Sequence, residues 1–264
     1  MQQQKNNPEY VHRSADGMET CHRCGGHNVN IQYDNTLFCF DCHWSAGNSV
    51  KEFWCPNCQA QAMEYADHRI QCPQCGCTID LDCAAAEESA DTPGHWKIRE
   101  LKAAKIHTGI RRLGFAFSEF SHLAQIALPE GLDEIGHNAF AGCFQLREVQ
   151  IPDSVRLLGT YAFDSCAFCK ISLPEGIMEI PEGLFADCKN LTTVTLPSTL
   201  TGIGAAAFQG CVSLEELEIP AGVRHIGSCA FRECKGLKRV ILPSGDIDIG
   251  ENAFPPETQL IRRE

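Results

Sequence analysis

The sequence predicts a mainly β chain: a solenoid of about six 22–23-residue units, preceded by two small four-cysteine modules. Three observations predict it. Aliphatic–proline pairs recur at Leu128-Pro129, Ile151-Pro152, Leu173-Pro174, Leu196-Pro197, Ile219-Pro220 and Leu242-Pro243, in steps of 23, 22, 23, 23 and 23 residues. A phenylalanine (Phe140, Phe163, Phe185, Phe208, Phe231, Phe254) and a cysteine (Cys143, Cys166, Cys188, Cys211, Cys234) keep the same step. Of the 17 cysteines, 10 crowd between Cys21 and Cys83, and eight of these form four C-x2-C pairs. A period of this length marks stacked repeats that share one core. Tandem C-x2-C pairs, with an odd cysteine total, point to metal knuckles rather than a disulfide scaffold.

Residues 1–18 are polar and read as a flexible N-terminus. They lack the apolar core of a secretory signal. No run of the chain is apolar for long enough to cross a bilayer. The expectation is therefore a cytoplasmic protein in a reducing compartment, with no membrane partner. The formal net charge of -12 gives no footprint for a phosphate backbone.

The first module, 19–50, carries Cys21, Cys24, Cys39 and Cys42, with fourteen residues between its two pairs. The second, 51–83, carries Cys55, Cys58, Cys72 and Cys75, with thirteen between its pairs. Each C-x2-C turn presents two thiolates to one metal, and two turns complete a tetrahedron. Between the pairs, Val29, Ile31 and Tyr33 alternate before an Asp34-Asn35 turn, as a hairpin requires. Such modules hold too little core to fold alone, so metal binding is part of their folding energy. Two structural Zn2+ ions are expected, on sequential sites; interleaved pairing and Cys77 in place of Cys75 stay open. His22, His27, His43 and His68 are read as solvated or as supports behind the thiolates. The modules resemble zinc ribbons in tandem. The knuckle forms CPNC and CPQCG of the second also occur in rubredoxin-like iron sites, so iron is the rival metal.

Residues 84–109 read as a linker and solenoid cap. AAAEESADTPG, 84–94, suits a linker or weak helix ended by Pro93 and Gly94. Trp96, Ile98, Leu101 and Ala104 then line one side of a short helix that covers the first repeat.

The solenoid runs from 110 to 264. In the unit 188–210, Leu191, Val194 and Leu196 point inward, and Thr193 and Thr195 outward, along a strand that Pro197 ends. Ile203 and Phe208 fill the same core from behind. The third unit, CAFCKISLP, is one residue short and predicts a tighter loop with the neighbouring strands still paired. The repeat cysteines suit a ladder of small buried side chains. The patterns L-x-x-V-x-L-P and I-G-x-x-A-F-x-x-C resemble the BspA-like leucine-rich repeats. That resemblance implies a parallel, right-handed leucine-rich-repeat solenoid that mostly binds other macromolecules, and it does not imply an enzyme.

No nucleophile, dinucleotide or phosphate-loop motif occurs, and metal sites saturated with thiolates have no open position for catalysis. The expected function is a non-catalytic binding or adaptor protein with a protein partner. The candidate surface is the outward strand row, above all Glu148, Gln150, Thr193, Thr195, Glu216, Glu218 and Arg239. The alternatives are a cell-surface repeat protein, or nucleic-acid binding through the ribbons. Residues 1–100 oppose the latter, with 7 basic against 14 acidic side chains.

Overall fold

A computed structural model describes residues 11–13, 19–21, 29–31, 37–39, 44–46, 50–53, 64–66, 69–72, 74, 77–82, 85–88, 96–107, 110–114 and 117–263. The chain divides into two units, 1–49 and 50–264. In the first, Val11–Arg13 pairs antiparallel with Glu19–Cys21. Leu37–Cys39 is the centre of an antiparallel meander between Val29–Ile31 and Trp44–Ala46. The expected hairpin around residues 29–39 is therefore present.

The second unit opens with two sheets. One places Trp96–Arg99 between Val50–Phe53 and Ala85–Glu88, all antiparallel. The other has five strands in the order Gln125–Ala127, Ala103–Ile106, Thr78–Asp82, Arg69–Gln71, Glu64–Ala66. These strands correct two expectations, the linker or weak helix at 84–94 and the helix from Trp96 to Ala104. Spacing of Ile98, Leu101 and Ala104 by three fits a helix. The burial that the structure realises has period two instead, with Ala104 and Ile106 inside and Lys105 outside. Partners on both edges of Ala103–Ile106 supply the hydrogen bonds that settle the choice.

From Ala103 onward the turns of the solenoid meet along three seams, two of them interrupted in places. The first is built from the strands that follow the buried leucine, such as Lys170–Ser172 on Thr193–Thr195 and Glu216–Glu218 on Arg239–Leu242, all parallel. The second uses two-residue strands after the proline turn, such as Gly202–Ile203 on His225–Ile226. The third is the turn around each phenylalanine. There the Phe140, Phe163, Phe185, Phe208 and Phe231 amides donate to the Ala162, Leu184, Ala207, Ala230 and Ala253 carbonyls of the next turn, at 2.7–3.1 Å. Residues two before and two after the phenylalanine take positive φ, for example Tyr161 and Ser165, or Gly183 and Asp187. Left-handed backbone at both flanks turns successive peptide groups toward the neighbouring coil, and costs roughly 1–2 kcal/mol where the residue is not glycine.

Inside, Phe117, Phe140, Phe163, Phe185, Phe208, Phe231 and Phe254 form one stack with centroids 5.1–5.8 Å apart. The five expected at its centre are fully buried. The repeat cysteines are buried too, and do more than fill space. Each thiol donates to the phenylalanine carbonyl of the preceding turn, from Cys143 to Phe117 through Cys234 to Phe208, at 3.0–3.3 Å. A small side chain with a weak donor satisfies a carbonyl that water cannot reach.

The short third unit departs from expectation. Lys170–Ser172 pairs with the following strand, but the first seam between the second and third turns is not a ladder. An isolated Gln125–Glu148 bridge reaches the second turn from one side, and the Ala167 amide, donating to the Leu146 carbonyl at 3.0 Å, from the other. The second seam also parts, with Leu157–Leu158 closing one sheet and Glu179–Ile180 opening another. The missing residue lies between Cys166 and the position that leucine holds elsewhere. Phe168 occupies that position, buried, with its ring edge-on to Phe163 at 5.5 Å. Core and turn seam run on unbroken: Tyr161, Phe163 and Ser165 still donate to Glu182, Leu184 and Ala186.

Candidate binding face and thiol sites

Along the first seam the burial alternates exposed, buried, exposed, because inward side chains at every second position fix the backbone. Glu148, Gln150, Thr193, Thr195, Glu216, Glu218 and Arg239 are all exposed. They do not form one patch. Glu148 and Gln150 belong to the turn that lacks a strand. Thr193, Thr195, Glu216 and Glu218 gather around a groove of about 860 Å³. It lies where Thr193–Thr195 and Glu216–Glu218 face each other without ladder pairing. Its threonine bank is neutral. On the glutamate bank, Glu215 pairs with Lys238 at 3.2 Å, Glu216 with Arg239, and Glu218 with Arg263. The carboxylates are thus drawn toward the C-terminal turns; the hydroxyls of Thr193 and Thr195 offer donors and acceptors, while that of Thr192 already donates to the Cys169 carbonyl at 3.0 Å.

Arg263, Glu175 and Glu215 also line the groove and were missed in the sequence row. Alternation from Gln259 through Ile261 reaches Arg263, so that residue was within reach of the pattern. Glu175 follows the proline turn, where its carboxylate accepts from the Ser198 amide at 2.9 Å and hydroxyl at 2.7 Å. No periodicity marks that contact.

The thiol sites divide by what is described. Cys21 and Cys39 end the strands Glu19–Cys21 and Leu37–Cys39. Cys24, Cys42, Cys55, Cys58 and Cys75 lie outside the described residues, as do His22, His27, His43 and His68. Cys72 and Cys77 are buried at the two ends of the loop between Arg69–Gln71 and Thr78–Asp82. The Cys72 amide donates to the Cys77 carbonyl at 2.9 Å and closes that loop. Among the described residues no three metal-ligating side chains converge. Burial pushes the Cys166, Cys188 and Cys211 thiols up, away from the thiolate form that binds metal or reacts.

Two carboxylates are displaced from their ordinary range. The Arg69 guanidinium, 2.6 Å away, holds Asp80 down to about 2, and His107 at 2.7 Å adds to it. Burial first, and the Asp187 carboxylate second, push Asp164 up to about 7.

The BspA type leucine rich repeat region matches the chain over 97–170, 113–238 and 158–262, in six copies. No curated protein matches. Similar solved structures include a leucine-rich repeat protein from Bacteroides ovatus ATCC 8483, with 18% identity over 83% of this chain and 70% of that one, TM-score 0.45. A leucine-rich repeat protein from T. pallidum, TpLRR, shares 30% identity over 67% of this chain and 82% of its own, TM-score 0.42. A leucine rich cell surface protein from Faecalibacterium prausnitzii A2-165 shares 22% over 61% and 59%, TM-score 0.43. The cytoplasmic location expected from the polar N-terminus is not upheld: the last of these proteins is a leucine rich cell surface protein. Among the described residues no helix is long and apolar enough to cross a membrane.

Proposed function

The chain belongs to the BspA type leucine-rich repeat proteins, and from that premise we propose that it is a cell-surface adaptor that holds a protein partner on its first-seam strands. In this reading the chain is a non-catalytic protein. The groove between Thr193–Thr195 and Glu216–Glu218 carries this reading. Its backbone is fixed by the stacked core beneath, its volume of about 860 Å³ suits a bound segment, and hydroxyls and carboxylates line it. The face has no exposed aromatic cluster, so the complementary surface is polar and its affinity moderate. Crosslinking in native cells with the intact chain tests it. A partner captured by the natural protein and lost with both Thr195→Lys and Glu218→Lys supports the groove. Retention with both, and with Glu148→Lys, refutes the face.

The N-terminal modules are the second part of the proposal. Cys21, Cys24, Cys39 and Cys42 would hold one Zn2+, and Cys55, Cys58, Cys72 and Cys75 another, as structural ions. The spacing supports this, as does a buried Cys72 at the head of a closed hairpin loop. Native mass spectrometry with elemental analysis should find two zinc per chain. One metal, or coloured iron centres, would refute it.

A further inference from the structure

We infer that Asp164 makes the boundary between the second and third turns a pH-operated joint, closed while its carboxyl carries a proton and loosened once it is ionised.

That boundary hangs on the turn seam, because neither strand seam is a ladder there. Across it the Tyr161, Phe163 and Ser165 amides donate to the Glu182, Leu184 and Ala186 carbonyls at 3.0, 3.1 and 2.8 Å. The Tyr161 hydroxyl donates to the Glu182 carboxylate at 2.9 Å, and the Cys188 thiol to the Phe163 carbonyl at 3.2 Å. Asp164 stands in the middle of this run, between two of the three amide donors. The fourth and fifth turns meet through the same kind of seam, from Ala206, Phe208 and Gly210, but they also keep the ladder of Gly202–Ile203 on His225–Ile226.

In the neighbouring turns the residue after the phenylalanine is Ala141, Ala186, Gln209 or Arg232, and at the joint it is an acid. The Asp164 side chain is part-buried, and the Ser165 hydroxyl donates to it over a long 3.3 Å. Around it stand Tyr161 and the Cys166 thiol of its own turn, and the exposed Asp187 carboxylate and Cys188 thiol of the third. From the first turn the Gly142 amide donates to its carbonyl at 3.0 Å. No basic side chain is among the groups that act on it. A charge on Asp164 is thus removed from water, given no cation, and set against a second carboxylate across the seam that joins the two turns. Water entering between 163–166 and 184–187 relieves that charge, and in doing so parts the seam. The change falls around pH 7, where burial and Asp187 together hold the group.

Amide hydrogen exchange on the full chain at about pH 5.5 and about pH 8.5, expressed as protection so that the intrinsic change in rate cancels, tests the joint. The expected result is at least about tenfold loss of protection at Tyr161, Phe163 and Ser165 on raising the pH, with Ala206, Phe208 and Gly210 unchanged. Asp164→Asn should abolish that loss. Protection retained at the three amides at the higher pH, an equal loss at Phe208, or an equal loss in Asp164→Asn would each overturn the joint. If Asp164→Asn does not fold, Asp187→Asn decides: a smaller loss sustains the joint, and an undiminished loss overturns it.

Discussion

Truncation of Phe185 to alanine probes the solenoid at its centre. The ring is fully buried and lies between Phe163 at 5.8 Å and Phe208 at 5.4 Å, so both faces are covered. Phenylalanine-to-alanine changes in closed cores cost about 3–5 kcal/mol, transfer and cavity together. Collapse is hard here, because the neighbouring rings belong to turns whose spacing is set by backbone hydrogen bonds, Phe163 to Leu184 and Phe185 to Ala207. Each lost aromatic contact is itself worth about 0.5–1.5 kcal/mol. The cost should therefore fall in the upper half of that range. Phe254→Ala, a half-buried ring with one stacked neighbour, should cost clearly less. Urea unfolding followed by far-ultraviolet circular dichroism measures both, with the slope checked for constancy so that the midpoint reports stability. A loss for Phe185→Ala within about 0.5 kcal/mol, the range of surface changes, would refute the stacked core.

Asp164 should make stability fall as pH rises. Its folded-state pKa near 7 lies above the ordinary carboxylate value, so the stability it lends is full in acid and lost as pH climbs from about 4 through 7. Asp164→Asn should flatten that slope by a few kcal/mol between pH 5 and pH 8, and identical slopes in the two proteins would contradict it. Ala206→Gly should raise stability by about 0.5–1 kcal/mol, since Ala206 holds φ 52°, and a fall in melting temperature would argue against left-handed strain there. Brief iodoacetamide treatment of the native chain should label exposed Cys169 and spare Cys188 and Cys211, read by peptide mass spectrometry. Labelling of Cys188 at the rate of Cys169 would show the ladder open.

The repeat was legible because each marker has a separate physical cause. Proline ends a strand, phenylalanine fills the turn, and cysteine is small enough to lie against the preceding coil. What those markers do to one another was not legible. The thiol-to-carbonyl bond depends on a main-chain group 25–26 residues earlier in sequence, which no local pattern displays. The left-handed positions were hidden for a different reason. Tyr161, Ser165, Ala206 and Cys229 occupy them without the glycine that usually reports such a conformation. Ile98, Leu101 and Ala104 are spaced as on a helix, but pairing with distant strands decided otherwise: Ile98 lies between Val50–Phe53 and Ala85–Glu88, and Ala104 on Thr78–Asp82. The groove was half legible: alternation pointed Thr193, Thr195, Glu216 and Glu218 outward, but the gap between their strands came from the third dimension.

The parted seams at the short third unit bear on how the solenoid answers mechanical load. Pulled from its two ends, a stack of coils shears along whichever boundary has the fewest bonds in parallel. Between the second and third turns neither strand seam is a ladder, one backbone bond from Ala167 to Leu146 joins the first, and the turn seam with its phenylalanine rings carries most of the tension. That boundary is a tear line. A chain anchored at one end and tugged at the other would yield there first, releasing its N-terminal coils as one block while the coils from Lys170 onward stay wound.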